Sequence, residues 1–381
     1  MTQSVSSNSI TSLVSSKLTG ALPAINGAAL TGVNAGVFSS TSDPTPTSNS
    51  TLGLIWANSV TGDLFNCTDA TTNNNVWVNV GGGSGDVEKD HQGTLSGYAA
   101  GGYSGSPSNV IDKWAFSSDA NATDVGDLTG SKHALAGSQD TTHGYCAGGS
   151  GTSNVIQRFV FATNGNSSDV GDLTVGKSSI SGHSSFTHGY TCGGEASGTG
   201  DNGINVIEKY AFASSGNGSD VGNISATRLS VSGVMSLTHG YAIGGRRLQP
   251  ITRTNVIDKF PYASDSNSTD HGDLLAVNTN IAFNGQQSLT HGYASGGEFT
   301  GNGTRLQKFA FATSSNATSV GTLSASITAT AGCSSTTNGY CGGATEGATS
   351  EILKFSFVSD GNASDIGDLT VARGNCAGIS N

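Results

Sequence analysis

Short stretches of alternating apolar and polar residues recur from about residue 91 to the C-terminus. The most regular stretch carries two aromatic residues two positions apart, with an aliphatic residue three positions before the first of them. The aromatic pairs are Trp114/Phe116, Phe159/Phe161, Tyr210/Phe212, Phe260/Tyr262, Phe309/Phe311 and Phe355/Phe357. The aliphatic residues are Ile111, Ile156, Ile207, Ile257, Leu306 and Ile352. Period-two spacing places each pair on one face of a β-strand and the aliphatic residue on the other. A strand that is apolar on both faces is expected to be covered on both sides.

A second repeated stretch is a Gly-Tyr followed shortly by Gly-Gly. The tyrosines are Tyr98, Tyr145, Tyr190, Tyr241, Tyr293 and Tyr340. Their separation runs from 45 residues (Tyr145 to Tyr190) to 52 residues (Tyr241 to Tyr293). Repeats of this length that consist of short strands are typical of β-propeller blades. The sequence therefore predicts an all-β protein with a six-bladed β-propeller over residues 86–381.

The last residues of the chain predict how this propeller closes. The segment Gly374–Ser380 resembles the strand that precedes each Gly-Tyr, yet no Gly-Tyr follows it. We expect it to be the innermost strand of the first blade, because closure removes open sheet edges. Pro261 interrupts one aromatic strand, and since proline cannot donate to a sheet ladder we expect a bulge or an edge there.

Residues 1–85 lack the repeat and divide into two parts. Residues 1–50 are rich in Ser, Thr and Asn and are expected to form an extended attachment segment without a core of its own. Residues 51–85 are expected to form a small β module followed by a Gly-rich linker. Its predicted strands are Leu54-Ile55-Trp56, Leu64-Phe65 and Val76-Trp77-Val78, with a turn at Gly62-Asp63.

Composition narrows the function classes. Only 11% of residues are charged and 56 are glycine, which disfavours long helices. The net charge of -11 argues against nucleic-acid binding. No apolar run is long enough for a membrane span, and residues 1–16 lack the basic start and apolar core of a secretory signal.

Several recurring polar residues are interpreted as structural. His143, His188, His239 and His291 precede Gly-Tyr pairs and are expected to form a hydrogen bond at a strand start. The six cysteines contain no C-x-x-C pair and are expected to be small buried residues. We therefore predict no metal site, no cofactor and no catalytic residue.

Three further sets of residues recur along the repeats, two of them in all six and the aspartates in five, with Ser319 in place of the sixth. An Asn-x-Ser/Thr asparagine is expected to cap its own turn rather than to carry a glycan. A basic residue in the aromatic strand is expected to pair with an aspartate of the next strand in the same blade. The sets are Asn121, Asn166, Asn217, Asn267, Asn316 and Asn362; Lys113, Arg158, Lys209, Lys259, Lys308 and Lys354; and Asp124, Asp169, Asp220, Asp270 and Asp365.

The loops after the Gly-Gly pairs differ in sequence and length, and variable loops on a constant scaffold commonly carry binding. The loop from Arg246 to Thr254 holds three of the sixteen basic residues, and the loop from Glu195 to Ile204 is acidic and Gly-rich. The alternative is neutral drift of exposed loops. The candidate binding residues are Arg246, Arg247, Arg253, Glu195, Asp201 and Glu298.

The order of these elements resembles the kelch repeat over roughly residues 91–381. The Gly-Gly pair, which is the hallmark of that repeat, is present six times. The basic residue that opens the inner strand is kept at four positions, and the outer-strand tryptophan is missing, with Asp124-Val125 in that region. The four basic residues are Lys132, Lys177, Arg228 and Arg373. The resemblance implies a divergent kelch-like propeller.

The N-terminal part resembles bacteriophage tail fibres. The resemblance rests on Lys17 to Val33 and on Gly53 to Gly81, which includes Trp56 and Trp77. It implies a virion structural protein, a tail fibre or spike, that binds other virion proteins through its N-terminal segment and forms a homotrimer. Its propeller would then bind a host surface glycan or protein.

Two other functions remain open at this point. One is a head or neck decoration protein without a receptor. The other is a polysaccharide-active enzyme, which the lack of a paired-carboxylate arrangement disfavours.

Overall fold

The computed structural model describes residues 37–80, 91–197, 203–248, 250–277, 284–297, 303–345 and 349–381. The protein is all-β: strands make up 51% of the described residues, and the described ranges contain no helix. Within these ranges there is accordingly no helical segment long and apolar enough to cross a membrane. The stretches Lys17 to Val33 and Gly81 to Gly85 lie outside the described residues.

The N-terminal sheet contains four strands in chain order. They are β1 (Val37–Ser40), β2 (Ile55–Asn58), β3 (Leu64–Asp69) and β4 (Val76–Asn79). The three strands predicted for the small β module are confirmed as β2, β3 and β4. Its core is small, because Phe65, Cys67 and Trp77 are its buried apolar residues.

Strand β1 belongs to the stretch that the sequence predicted to be extended. It pairs in parallel with β2, and the Phe38 and Trp56 ring centroids are 4.4 Å apart. The Trp56 indole N–H donates to the carbonyl of Ser42 at 2.8 Å. The sheet thus includes residues before the predicted boundary at residue 51. Trp56 contacts β1 through Phe38 and the segment after β1 through the carbonyl of Ser42.

The described residues between 91 and 381 form six four-stranded antiparallel sheets, which we number 1 to 6. Sheet 1 is β32 (Ala377–Ser380), β5 (Ser96–Ala100), β6 (Ser108–Ala115) and β7 (Thr123–Lys132). Sheet 2 is β8 (Ala136–Gln139), β9 (His143–Ala147), β10 (Val155–Val160) and β11 (Ser168–Asp172). Sheet 3 is β13 (Ser181–Ser184), β14 (His188–Cys192), β16 (Val206–Ala211) and β17 (Ser219–Asn223).

The other three sheets repeat this order. Sheet 4 is β18 (Ser232–Met235), β19 (His239–Ile243), β22 (Val256–Pro261) and β23 (Thr269–Asp273). Sheet 5 is β24 (Gln286–Gln287), β25 (His291–Ser295), β26 (Arg305–Ala310) and β27 (Thr318–Thr322). Sheet 6 is β28 (Ala331–Ser334), β29 (Asn338–Gly342), β30 (Glu351–Ser356) and β31 (Ser364–Asp368). Two short strand pairs are inserted: β12 (Lys177–Ser178) with β15 (Glu195–Ala196), and β20 (Arg246–Leu248) with β21 (Ile251–Arg253).

The expected position of the C-terminal strand is confirmed. Strand β32 pairs antiparallel with β5, with Ile379 opposite Tyr98, and it is the first strand of sheet 1. The carbonyl of the last residue, Asn381, accepts hydrogen bonds from the backbone N–H groups of Thr94, Leu95 and Ser96. The two ends of the repeat region are therefore joined within one sheet.

The first strands of the six sheets contact one another in cyclic order. Contacts join sheets 1 and 2, 2 and 3, 3 and 4, 4 and 5, 5 and 6, and 6 and 1. Glycine makes this approach possible, since a Cβ atom on Gly182 would overlap the carbonyl oxygen of Gly137 in the neighbouring sheet. The side chain of Asn284 extends from the start of sheet 5 to bind the carbonyls of Gly137 (2.8 Å) and Gly182 (3.3 Å). The first strands thus meet backbone to backbone, and we call the assembly of six sheets the array.

The Gly-Tyr motif packs the sheets against each other. Each Tyr ring lies against the second aromatic residue of the next sheet, with ring centroids 4.6 to 5.1 Å apart. The pairs are Tyr98–Phe161, Tyr145–Phe212, Tyr190–Tyr262, Tyr241–Phe311, Tyr293–Phe357 and Tyr340–Phe116. The preceding glycine leaves room for the first aromatic of its own sheet: a Cβ on Gly144 would overlap the Phe159 ring. Both faces of the aromatic strand are buried, as predicted, with Ile111 0% and Trp114 1% exposed.

The repeated asparagines have a different role from the predicted one. They lie in the turns between third and fourth strands, but each side-chain oxygen accepts a backbone N–H from the preceding sheet at 2.9 to 3.1 Å. The donors and acceptors are Asp127–Asn166, Asp172–Asn217, Asn223–Asn267, Asp273–Asn316, Thr322–Asn362 and Asp368–Asn121. These bonds join neighbouring sheets at their outer strands instead of capping the residue's own turn.

The predicted ion pairs within each repeat are wrong. Lys209 and Lys308 bind Asp265 and Asp360, which lie in the turn of the following sheet, each at 2.5 Å. Lys354 binds Asp119 of sheet 1 in the same way. The recurring aspartates instead accept the N–H of the glycine two residues on, as at Asp124 and Gly126 (3.1 Å).

Pro261 lies neither at a sheet edge nor at a bulge. It is the last residue of β22, an internal strand, opposite His239. The bulge of this strand falls between Ile257 and Asp258, and pairing with β23 ends at Lys259. The N–H of Tyr262 points toward β19, so the backbone nitrogen of Pro261, one residue earlier, points to the opposite side. On that side β23 has already ended. No ladder hydrogen bond is lost there.

Substituting Gly182 by alanine is expected to destabilise the array by about 3 kcal/mol, because the new methyl group overlaps the backbone of the neighbouring first strand. The matched control is Gly130→Ala, where a Cβ meets no atom within 4 Å. Urea unfolding followed by tryptophan fluorescence measures both. Equal stabilities of the two variants would contradict the close approach of the first strands.

Removing Gly374–Asn381 is expected to lower the melting temperature by about 10 °C or more, since sheet 1 loses its first strand and its contacts with sheets 2 and 6. Differential scanning calorimetry provides the measurement. The control is Val358→Ser, at a side chain that is 83% exposed. An unchanged melting temperature of the truncated chain would show that β32 is not required.

Candidate functional site

The variable loops and the N-terminal entry lie at opposite ends of the array. In sheets 2 to 6, a short turn joins the first and second strands, and in sheet 1 the end of the chain at Asn381 meets residues 94–96 at the same place. The variable loop after Gly-Gly follows at the far end of the second strand. A parallel bridge between Gly233 and Asn284 shows that neighbouring first strands run in the same direction. All the turns therefore lie on one side, which we call the turn face, and the variable loops lie on the other, the loop face.

Residues 91–95 lie on the turn face. The Gln92 side-chain amide donates to the carbonyls of Gln287 (3.0 Å), the last residue of β24 in sheet 5, and Ser335 (3.1 Å), which follows β28 in sheet 6. The Gly93 N–H donates to the carbonyl of Ser334 at 2.8 Å. The chain thus enters the array on the face opposite to the variable loops.

On the loop face, the three candidate arginines form a β-hairpin. Arg246 lies opposite Arg253, and Arg247 lies opposite Thr252, in the β20–β21 pair. The Nε of Arg247 donates to the carbonyl of Thr227 at 3.0 Å, which holds the exposed guanidinium over the connection between sheets 3 and 4. Among the described residues this is the only hydrogen bond of that side chain. The edge formed by its two Nη groups therefore faces solvent.

A groove of about 300 Å³ separates this hairpin from the connection at residues 225–228. One wall carries Ser225 and Thr227, and the other carries Arg247, Thr252 and Thr254. The walls thus combine hydroxyl groups with guanidinium groups, which suits a polar ligand with negative charge.

A buried ion pair fixes the position of the first wall. Arg228 is 2% exposed and binds Asp258 at 2.5 Å and the carbonyl of Ala242 at 3.1 Å. Asp258 also accepts hydrogen bonds from the backbone and hydroxyl of Ser225, at 3.2 and 2.8 Å. Burial lowers the pKa of Arg228, and the Asp258 carboxylate opposes that shift.

The same buried position recurs in other sheets with different chemistry. Arg373 binds Asp112 at 2.9 Å in sheet 1, and Lys177 binds Glu208 in sheet 3, with all four side chains fully buried. In sheet 6, two apolar residues, Ile327 and Leu353, occupy the corresponding places and share one core cluster. Three of the four basic residues noted for the kelch resemblance therefore belong to buried pairs. The sequence showed the basic residues but not their partners.

The other candidate binding residues do not join the arginines. Glu195 lies in β15, where its backbone pairs with Ser178 of β12, in the insertion of sheet 3. Among the described residues no hydrogen bond or ion pair links it to the hairpin. Asp201 and Glu298 lie outside the described residues.

The predicted structural role of the histidines is confirmed. The Nδ1 of each is hydrogen-bonded to the hydroxyl of the preceding threonine at 2.7 to 2.8 Å. Within the described ranges, no group of three His, Cys, Asp or Glu side chains converges as metal ligands. The six cysteines are buried and unpaired, as expected, and burial raises the pKa of the Cys341 thiol to about 11.

No family model matches the chain, and no curated protein shows significant similarity to it. The function must therefore be inferred from the arrangement of the loop face and the turn face.

Replacing only Arg228 by isoleucine is expected to destabilise the chain by about 3–5 kcal/mol, because Asp258 remains buried without its partner. The double variant Arg228→Ile/Asp258→Leu reproduces the Ile327/Leu353 pair of sheet 6 and is expected to recover most of that loss. Chemical denaturation of the wild type, both single variants and the double variant forms the cycle. If the double variant loses as much stability as the two single variants together, the expected energetic coupling between Arg228 and Asp258 is contradicted.

Proposed function

We propose that residues 91–381 form a six-bladed, kelch-like β-propeller in which each four-stranded sheet is a blade. The proposal is supported by the cyclic contacts of the first strands and by the pairing of β32 with β5. The Tyr-to-aromatic packing also continues from sheet 6 to sheet 1, through Tyr340 and Phe116.

We further propose that the protein is a bacteriophage virion component, a tail fibre or spike that attaches the particle to its host. The observation that carries this proposal is the placement of the N-terminal entry and the variable loops on opposite faces of the array. A protein tethered to a particle through its N-terminal part presents the loop face outward. Such a division between a tethered face and a presented face is what an attachment protein needs.

The arginine hairpin is the proposed contact with the host surface. It concentrates positive charge in a chain of net charge -11, and bacterial surfaces present carboxylate and phosphate groups. Contacts by exposed charges contribute only ~0.2–1 kcal/mol each, so strong adsorption requires several copies acting together. A homotrimer, as in the fibres that the N-terminal part resembles, supplies such copies.

The first test asks whether the chain is part of the particle. Antibodies against the full chain should label purified virions, and a chain lacking residues 1–50 should be lost from them. Absence of the full-length chain from particles would refute the proposal. Sedimentation equilibrium of the free chain tests the trimer, which a monomer mass would exclude.

The second test concerns adsorption. Particles carrying the variant Arg246→Ala/Arg247→Ala/Arg253→Ala are expected to adsorb to host cells at least about tenfold more slowly at low salt, because long-range attraction to an anionic surface is lost. The control variant Lys209→Ala/Lys308→Ala/Lys354→Ala removes the same charge from residues that bind neighbouring sheets. Normal adsorption of the arginine variant, with the chain present and folded, would favour a decoration protein without a receptor role.

A further inference from the structure

We infer that the groove between the β20–β21 hairpin and residues 225–228 binds one sugar residue that bears a carboxylate group, as in an acidic polysaccharide. This inference deepens the proposed function, on which its biological setting rests. It concerns the chemistry of one site on the loop face rather than attachment as a whole.

The carboxylate partner is Arg247. Its Nε is engaged by the Thr227 carbonyl at 3.0 Å, which fixes the plane of the guanidinium, while the Nη edge has no partner among the described residues. Two parallel N–H groups on one planar edge match the two oxygens of a carboxylate. Because the Nε hydrogen bond already restrains the Arg247 side chain, less rotamer entropy is lost when a ligand binds.

The sugar ring is accommodated by size and by hydroxyl groups. A groove of about 300 Å³ lies at the lower end of the range for small-ligand sites, which is suitable for one monosaccharide rather than an extended chain. The Thr252 hydroxyl already donates to Pro250, so it is left to accept a hydrogen bond. The Thr254 hydroxyl accepts from the Val256 N–H and is left to donate. The groove thus offers both a donor and an acceptor to sugar hydroxyls.

The wall opposite the hairpin is rigid before any ligand arrives. The backbone and side chain of Ser225 are both held by Asp258, which the buried Arg228 holds in turn. The Thr227 carbonyl that positions Arg247 lies between these two anchored residues. In a preformed site of this kind little ordering cost is left at binding, which favours affinity.

The test uses isothermal titration calorimetry of the full chain at low salt with three probes. These are an oligogalacturonate, the neutral galacto-oligosaccharide of the same length, and glucose 6-phosphate. We expect the oligogalacturonate to bind and the neutral probe to bind at least about tenfold more weakly, the loss typical of one charged hydrogen-bonded contact. Affinity for the acidic probe is expected to fall with increasing salt.

Two variants assign the binding to the groove. Arg247→Gln is expected to reduce the affinity for oligogalacturonate by about tenfold or more, and Thr252→Val by a smaller factor. The matched control is Arg305→Gln, which removes one arginine from the start of β26 in sheet 5, outside the groove. Unchanged melting temperatures show that the variants are folded.

Equal affinities of the wild type and Arg247→Gln, or equal binding of the neutral probe, would overturn the inference. Binding of glucose 6-phosphate alone would also overturn it and assign the groove to a phosphorylated ligand.

These outcomes are separate from those of the particle experiments. A chain that is present on virions and supports adsorption, but binds no acidic sugar, refutes only the groove assignment. Sugar binding by a chain that is absent from virions refutes only the attachment function.

Discussion

The packing of each Gly-Tyr tyrosine against the aromatic pair of the next sheet is the contact on which the array depends. A single repeat unit cannot bury its own apolar face, and here each sheet covers the face of its neighbour. Aromatic rings contribute large buried areas and prefer offset or tilted contacts of the kind found between Tyr145 and Phe212. Because the contact requires the next sheet, each sheet is stable only as a member of the cyclic series.

The other repeated residues serve this same contact. Glycine before the tyrosine makes space for the first aromatic ring, and glycine in the first strand lets neighbouring backbones touch, as at Gly182 and Gly137. At the outer strands, asparagines such as Asn267 bind the preceding sheet. These contacts constrain the first strand, the two middle strands and the outer strand of every sheet. They place no constraint on the connections on the loop face, which can therefore differ.

The groove shows how the scaffold and a variable loop are joined. The hairpin with Arg247 is an insertion in sheet 4, but the carbonyl that positions it belongs to the connection held by Arg228 and Asp258. In sheet 6, the corresponding buried position is apolar, with Ile327 and Leu353. A buried charged pair offers additional hydrogen bonds to nearby backbone, as Asp258 does to Ser225, which an apolar pair cannot.

The sequence alone determined the strands, the burial of both faces of the aromatic strand and the role of the C-terminal segment, because these follow from period-two patterns and from counting repeats. It also pointed to Arg247 as exposed charge on a variable loop. Only the tertiary structure decided which residues meet across sheets: the Lys209–Asp265 pair, the bond between Asn267 and sheet 3, and the partner of Arg228. Every sheet carries similar residues, so a lysine has equivalent acidic partners in its own repeat and in the next. Spacing along the chain cannot distinguish them, and only the three-dimensional distance does.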